Sequence, residues 1–320
     1  MIKMAKSHVP VAAGTNAGMS GKNNEDKFLV SAYQISEENN ARVLCAVLCD
    51  GVGGHMAGEV ASEIGVNTIT QVIAESNGQQ IPALLKKAVQ KASEDILLHA
   101  KLNIVEDQGR SGMGSTASVA LLVGNRLYTA TLGDSRIYLL RGAEIHQLSK
   151  DHTWIQDALE IGLITPEQVQ GHPNNHVIRR YLGSNNPPEV DERMYLSGDE
   201  EDAAAEANQG TRLKAGDSIL MCSDGLSDLV NEHEIHEIVT AQGENLQVAV
   251  DQLIDLANAR GGHDNTTIII FSVPAHIGMP PDEATNTPSP ENAGKTRKLG
   301  CLPFALLPIF LTIFTLFMLG

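Results

Sequence analysis

Apolar runs that end on an aspartate constrain the folding of this chain more than any other feature. Ala41 to Leu48 runs into Cys49-Asp50-Gly51, and Ser218 to Cys222 runs into Ser223-Asp224-Gly225. Arg126 to Leu132 leads to Gly133-Asp134-Ser135, and Asp264 stands just before the β-branched run Thr266 to Val273. Asp26 closes Asn23-Asn24-Glu25-Asp26. Short β-rich runs bounded by glycine and polar residues read as strands. A carboxylate at a strand end is held by the ladder behind it and faces outward at the sheet rim. A neighbouring glycine lets backbone or an ion approach closely. Asp-Gly is also a common turn dipeptide, so one such site is adequately explained by a turn. The joint pattern is not.

The intervening segments set the fold class. Ala57, Val60, Ala61 and Ile64 have helical spacing, which starts a helix near His55. A second helix begins at Pro82, with Leu85, Ala88, Ala92 and Ile96 on its apolar face. Ala117 to Val123 and Arg126 to Leu132 flank Gly124-Asn125 as a hairpin, and Arg136 to Leu140 pairs with Glu144 to Leu148 across Gly142. Thr165-Pro166-Glu167-Gln168 reads as a capping box. Asp199 to Glu206 reads as a solvated acidic loop. Leu246, Ala249, Val250, Leu253 and Ala257 stripe a helix that stops at Gly261-Gly262. Sequential hairpins with clustered helices predict antiparallel sheets covered by helical layers, an α+β arrangement.

Carboxylates gathered at one rim repel one another unless cations lie between them. An all-oxygen donor set suits Mg²⁺ or Mn²⁺ rather than zinc. Two such ions can activate a water and stabilise an in-line phosphoryl displacement. The net charge of −16 disfavours a nucleic acid partner, whose phosphates attract Lys and Arg. Cys45, Cys49, Cys222 and Cys301 lack zinc-ligand spacing and read as buried thiols in a reducing compartment.

The motifs then follow a known order. Asn23-Asn24-Glu25-Asp26, Asp50-Gly51-Val52-Gly53-Gly54-His55, Gly114-Ser115-Thr116-Ala117 and Gly133-Asp134-Ser135-Arg136 are followed by Asp151-His152-Thr153-Trp154. Arg180-Tyr181-Leu182-Gly183, Cys222-Ser223-Asp224-Gly225-Leu226 and Asp264-Asn265-Thr266 complete the series. In this order and spacing the chain resembles the metal-dependent serine/threonine protein phosphatases of type 2C (PPM), in a bacterial form. The resemblance implies an α-β-β-α sandwich of two antiparallel sheets flanked by helices. It implies hydrolysis of phosphoserine and phosphothreonine on proteins by a water held between two Mn²⁺ or Mg²⁺ ions, with a weaker third site. Asp50, Asp224 and Asp264 would act through that water, Asp50 bridging both metals. The Gly51 carbonyl would bind one metal, and Glu25 and Asp26 would orient bound water. Asp134, with Asp224, would serve the third site, and Trp154 to about His172 would form a flap beside the centre.

Two positions depart from the family. Gly21 stands where an arginine usually grips the substrate phosphate, and Lys22 is the nearest replacement. Val52 stands where eukaryotic members carry a histidine proposed as general acid. The departure at Gly21 keeps open a non-catalytic phosphoprotein-binding member of the same fold, and a small-molecule phosphoesterase is a second alternative.

The phosphatase domain is expected over 8–275. Residues 276–298, rich in Pro, Thr, Ser and Asn, read as a flexible linker. Residues 299–320 carry no charge, and as a helix would span roughly 33 Å, close to a bilayer core. They read as a C-terminal membrane anchor. Lys295, Arg297 and Lys298 just before it place the catalytic domain on the cytoplasmic side. An anchored enzyme of this kind would act on phosphorylated proteins, among them the intracellular part of a membrane serine/threonine kinase.

Overall fold

The computed structural model describes residues 1–52, 56–105, 112–198 and 200–274. The first strands are β1 (Ile2–Met4), β2 (Val11–Asn16), β3 (Lys27–Gln34), β4 (Arg42–Cys49) and the short β5 (Gly51–Val52). Helices α1 (Met56–Ala74) and α2 (Ile81–Val105) follow. Next come β6 (Gly114–Ser115), β7 (Ala117–Val123), β8 (Arg126–Leu132), β9 (Arg136–Arg141) and β10 (Glu144–Gln147). Short helices α3 (Trp154–Glu160) and α4 (Asp202–Ala207) precede β11 (Thr211–Arg212) and β12 (Ser218–Cys222). Helices α5 (Asp224–Ser227), α6 (Glu232–Gln242) and α7 (Leu246–Ala259) and strand β13 (Thr266–Ser272) complete the order.

Two antiparallel sheets result. One runs β1-β3-β4-β7-β8-β11 and the other β10-β9-β12-β13-β2, with β5 and β6 forming a small separate pair. The period-2 geometry of strands divides the apolar residues into three packed layers. Val43, Cys45 and Val47 of β4 face α1 and α2, against Ala61, Ile69, Leu85 and Ile96. Leu44, Ala46 and Leu48 of the same strand point the other way and meet Ile137, Ile219, Ile269 and Phe271 between the sheets. Ile268 and Ile270 of β13 then face α6 and α7, against Ile235, Val239, Val250 and Leu253. This is the helix–sheet–sheet–helix sandwich, and strand ends from both sheets meet at one rim.

Several expectations change in detail. Ile2–Met4 pairs with β3, so the domain reaches further towards the N-terminus than residue 8. The acidic Asp199 to Glu206 stretch is not simply a solvated loop. Its alanines favour helix, and Asp202–Ala207 forms α4 with Ala205 fully buried. Asp202 pairs with Lys150 and Arg193. Cys45, Cys49 and Cys222 are buried free thiols, as their apolar surroundings predict. The proposed linker and anchor, with Cys301, lie outside the described residues. Among the described residues, no helix is long and apolar enough to cross a membrane.

Candidate metal centre

Asp50 follows the last residue of β4, where backbone bonds lock it in place. Its N–H donates to Thr116 Oγ1 at 2.9 Å, and its carbonyl accepts from Thr116 N–H at 2.8 Å and Ser115 Oγ at 2.9 Å. Gly51 lies against α1, where an added Cβ would sit 2.3 Å from the Gly58 carbonyl oxygen. Only glycine permits that approach. The same crowding at Gly58 involves Glu25, whose Oε2 would lie 2.4 Å from a Cβ there. Glu25 thus reaches the first turn of α1, where a carboxylate is favoured.

Asn265 joins the first and last motifs. Its Oδ1 accepts from Glu25 N–H at 2.7 Å, and its Nδ2 donates to the carbonyls of Ala17 and Asn23, both at 3.1 Å. Its own N–H donates to Asp264 Oδ1 at 2.8 Å. Ser223 does similar work for Asp26, donating from Oγ to Asp26 Oδ2 at 2.7 Å. Gly225, after Asp224, meets the Asn265 carbonyl so closely that a Cβ would lie 2.1 Å from that oxygen. These contacts bring motifs from both sheets to one rim.

The electrostatics show what the rim requires. Burial pushes the Asp50 carboxyl well above the usual carboxylate range, and the charges of Asp26, Asp224, Asp134 and Asp264 push it further. Asp224 is raised in the same way, by burial and then by Asp134, Asp228, Asp264 and Asp26. Burial lifts Asp26 to about 6 against the opposing Ser223 bond. Asp134 also rises to about 6, through burial and then the charge of Asp151. Oδ1 of Asp26, Asp134 and Asp224 is buried with no hydrogen-bond partner among the described residues. A buried carboxylate oxygen left unpaired is costly, and a cation removes that cost. Hard oxygen donors with unpaired lone pairs fit Mn²⁺ or Mg²⁺.

The segment after Asp151 arches beside this rim. It closes on itself at the root, where Trp154 N–H donates to Val177 O at 2.8 Å and Arg179 N–H to His152 O at 2.7 Å. Trp154 and His172 stack within it, with ring centroids 4.7 Å apart. Gln168 Oε1 accepts from Thr165 N–H at 2.9 Å, the capping interaction expected there. Beneath this flap lies a cavity of about 200 Å³, lined in part by Asp134, Asp224, Asp228, His176 and Asn175. Ligand atoms of His176, Asp224 and Asp228 lie within 4.8 Å of one another.

The acids named from the sequence influence one another electrostatically in the structure, while their supports carried no signal in the sequence. Ser223, Thr116 and Asn265 carried no role there, because a bond between distant strand ends leaves no local spacing to detect. Asp228, just past the end of α5, could have been found from its four-residue spacing to Asp224. Gly21, at the usual arginine position, has φ +73°, and among the described residues nothing lies within 4 Å of where its Cβ would be. Glycine suits that left-handed backbone, and Lys22 beside it is exposed. His55 lies outside the described residues.

Residues 13–161 match the family described as Protein phosphatase 2C. The chain is 34% identical over 262 residues to the serine/threonine protein phosphatase PstP of Mycobacterium tuberculosis, covering 82% of this chain and 44% of that protein. It therefore spans less than half the length of that relative. Identity to the serine/threonine phosphatase Stp of Listeria monocytogenes is 31% over 237 residues, covering 73% of this chain and 86% of that one. The fold superimposes with a TM-score of 0.64 on the PstP catalytic domain in complex with two manganese ions. Identity there is 32%, covering 83% of this chain and 98% of that one. The family match, the identity to these phosphatases and the shared sandwich agree, and the chain belongs to the protein phosphatase 2C family.

Proposed function

We propose that this chain hydrolyses phosphoserine and phosphothreonine on proteins, using two Mn²⁺ or Mg²⁺ ions and a weaker third. The observation that carries this reading is the group of buried oxygens of Asp26, Asp134 and Asp224 with no partner among the described residues, whose chemistry calls for hard cations. Bound metals would lower the pKa of water and neutralise charge on the phosphoryl group. Asp50, Asp224 and Asp264 with the Gly51 carbonyl would hold the pair, and Asp134 with Asp224 the third ion. Asp26 has one oxygen engaged by Ser223, which leaves Oδ1 to orient solvent together with Glu25. Lys22, exposed beside this motif, supplies the nearest candidate charge for the substrate phosphate.

Phosphate release from a phosphothreonine peptide tests the reading. We expect release only with Mn²⁺ or Mg²⁺, loss on chelation, and much slower turnover of nucleotides and sugar phosphates. Turnover confined to the small molecules would overturn the substrate assignment. Absence of all turnover with metal bound would favour a phosphoprotein-binding role.

We also propose that residues 299–320 anchor the chain in a membrane with the catalytic domain in the cytoplasm. Support comes from their lack of charge and from Lys295, Arg297 and Lys298 before them. Membrane-borne phosphoproteins, including a serine/threonine kinase, are then the accessible substrates. A chain ending at residue 298 should move from the membrane to the soluble fraction with its peptide activity retained. Continued membrane association would sink the assignment.

A further inference from the structure

We propose that His152 is a positioning residue for the metal centre, clamping Gly133 so that the adjacent Asp134 carboxylate is held in the rim. The inference rests on the metal-centre reading above and assigns a role to a residue that binds no ion itself.

The clamp is reciprocal. Gly133 N–H donates to His152 Nδ1 at 3.0 Å, and His152 N–H donates to the Gly133 carbonyl at 2.9 Å. A backbone N–H can only donate, so Nδ1 must be the acceptor and a neutral ring carries its proton on Nε2. That nitrogen lies 3.1 Å from Asp191 Oδ2, a carboxylate able to receive it. His152 and Asp191 are both buried, at 4% and 5% exposure, so neither bond is replaced by solvent.

The far end of the relay is fixed to a sheet. Asp191 Oδ1 accepts from Arg193 Nε at 2.8 Å and Arg193 N–H at 2.9 Å. The Asp191 backbone exchanges two hydrogen bonds with Thr131 of β8, at 2.9 and 3.0 Å. On its other side Gly133 has φ +104°, and a Cβ there would lie 2.6 Å from Thr116 Cγ2. Thr116 Oγ1 is bonded to Ser135 Oγ at 2.8 Å and also accepts from the Asp50 N–H. Asp134 therefore stands between two fixed residues, with Oδ1 buried and without a partner among the described residues. His152 O also receives Arg179 N–H, so the same residue ties the flap root to the Asp134 turn. Orienting partners behind metal ligands commonly tune metal affinity by 10–100-fold.

Two substitutions in the full chain separate the two ends of the ring. His152→Asn can keep an acceptor near the Nδ1 position while losing reach to Asp191. His152→Gln can keep a donor near the Nε2 position while losing the acceptor for Gly133. Both remove a buried bond, so both should lower Tm. We expect His152→Gln to weaken the weakest Mn²⁺ equivalent by about 10-fold or more in a binding isotherm, and His152→Asn to weaken it clearly less. Equal isotherms for the two variants would reduce His152 to a packing residue and overturn the clamp. Wild-type ¹H–¹⁵N histidine spectra cover the case of poor folding in the variants. They should show His152 with its proton on Nε2 and its Nδ1 resonance shifted as Mg²⁺ fills the weakest site. A proton on Nδ1, or no response to Mg²⁺, would also overturn the proposal. If wild type binds no Mn²⁺, the metal-centre reading fails as well. If the tight equivalents bind normally and only the variant contrast is missing, the clamp alone fails.

Discussion

Replacing Asp50 with asparagine is expected to lower phosphopeptide turnover by about 10³-fold or more, and at the same time to raise the Tm of the metal-free protein. The first effect follows from removing a charge that would hold both ions. Loss of a single preorganised charge-stabilising donor already costs about 10²–10³-fold in other sites, and here the attacking water would lose its support too. The second effect follows from the surroundings of Asp50. Burial and four neighbouring aspartates raise its proton affinity, so ionised Asp50 is a burden on the folded chain without metal. Asparagine is nearly isosteric and carries no charge. Relief of about 1 kcal/mol corresponds to a gain of about 2–4 °C in a domain of this size. Opposite signs in the two measurements identify a residue retained for function at a cost in stability. A variant that lost both activity and metal-free stability would show that Asp50 is a structural acid instead.

The acids themselves were legible because each sits at a boundary that the chain advertises. The β4 run is apolar at every position from Val43 to Cys49, since helices cover one face and the second sheet covers the other. Its end at Asp50 is therefore sharp. β2 offers no such signal. Val-Ala-Ala-Gly-Thr-Asn has low strand propensity, and it forms an edge strand because α7 lies over it. Gly14 shows that packing directly, since a Cβ there would lie 2.8 Å from Val250 Cγ1. His152 lay within a matching motif but carried no assigned role. Its partners, Gly133 and Asp191, lie 19 and 39 residues away in opposite directions, and only the folded chain shows that one ring joins them.

Removing metal should expose a pH dependence of unusual sign. Asp26 and Asp134 rise to about 6 in the folded chain, above the 3.8 of a free carboxyl. Between those values the folded metal-free state binds more protons than the unfolded state, so its stability falls as pH rises. The contribution of these groups is fully present below about pH 4 and is lost by the time pH passes 6. Both groups act in the same direction across that window. Asp191 does not mask the effect. Burial pushes its carboxyl up, but bonds from Arg193 and His152 outweigh this and hold it well below the usual range. Its stabilising contribution is lost only in stronger acid. Bound cations need these carboxylates ionised, so metal must displace protons at low pH and binds more weakly there. Mn²⁺ at about 1,000 times its Kd stabilises by about 4 kcal/mol, or about 10 °C for a domain of this size. Scans in Mn²⁺ and in chelator should therefore differ by about 10 °C at pH 7.5 and by less than half that at pH 5. The chelated protein itself should melt higher at pH 5 than at pH 7.5. A gap that stayed constant across this range would mean that the cations bind away from Asp26 and Asp134, and the rim would lose its assignment as the metal centre.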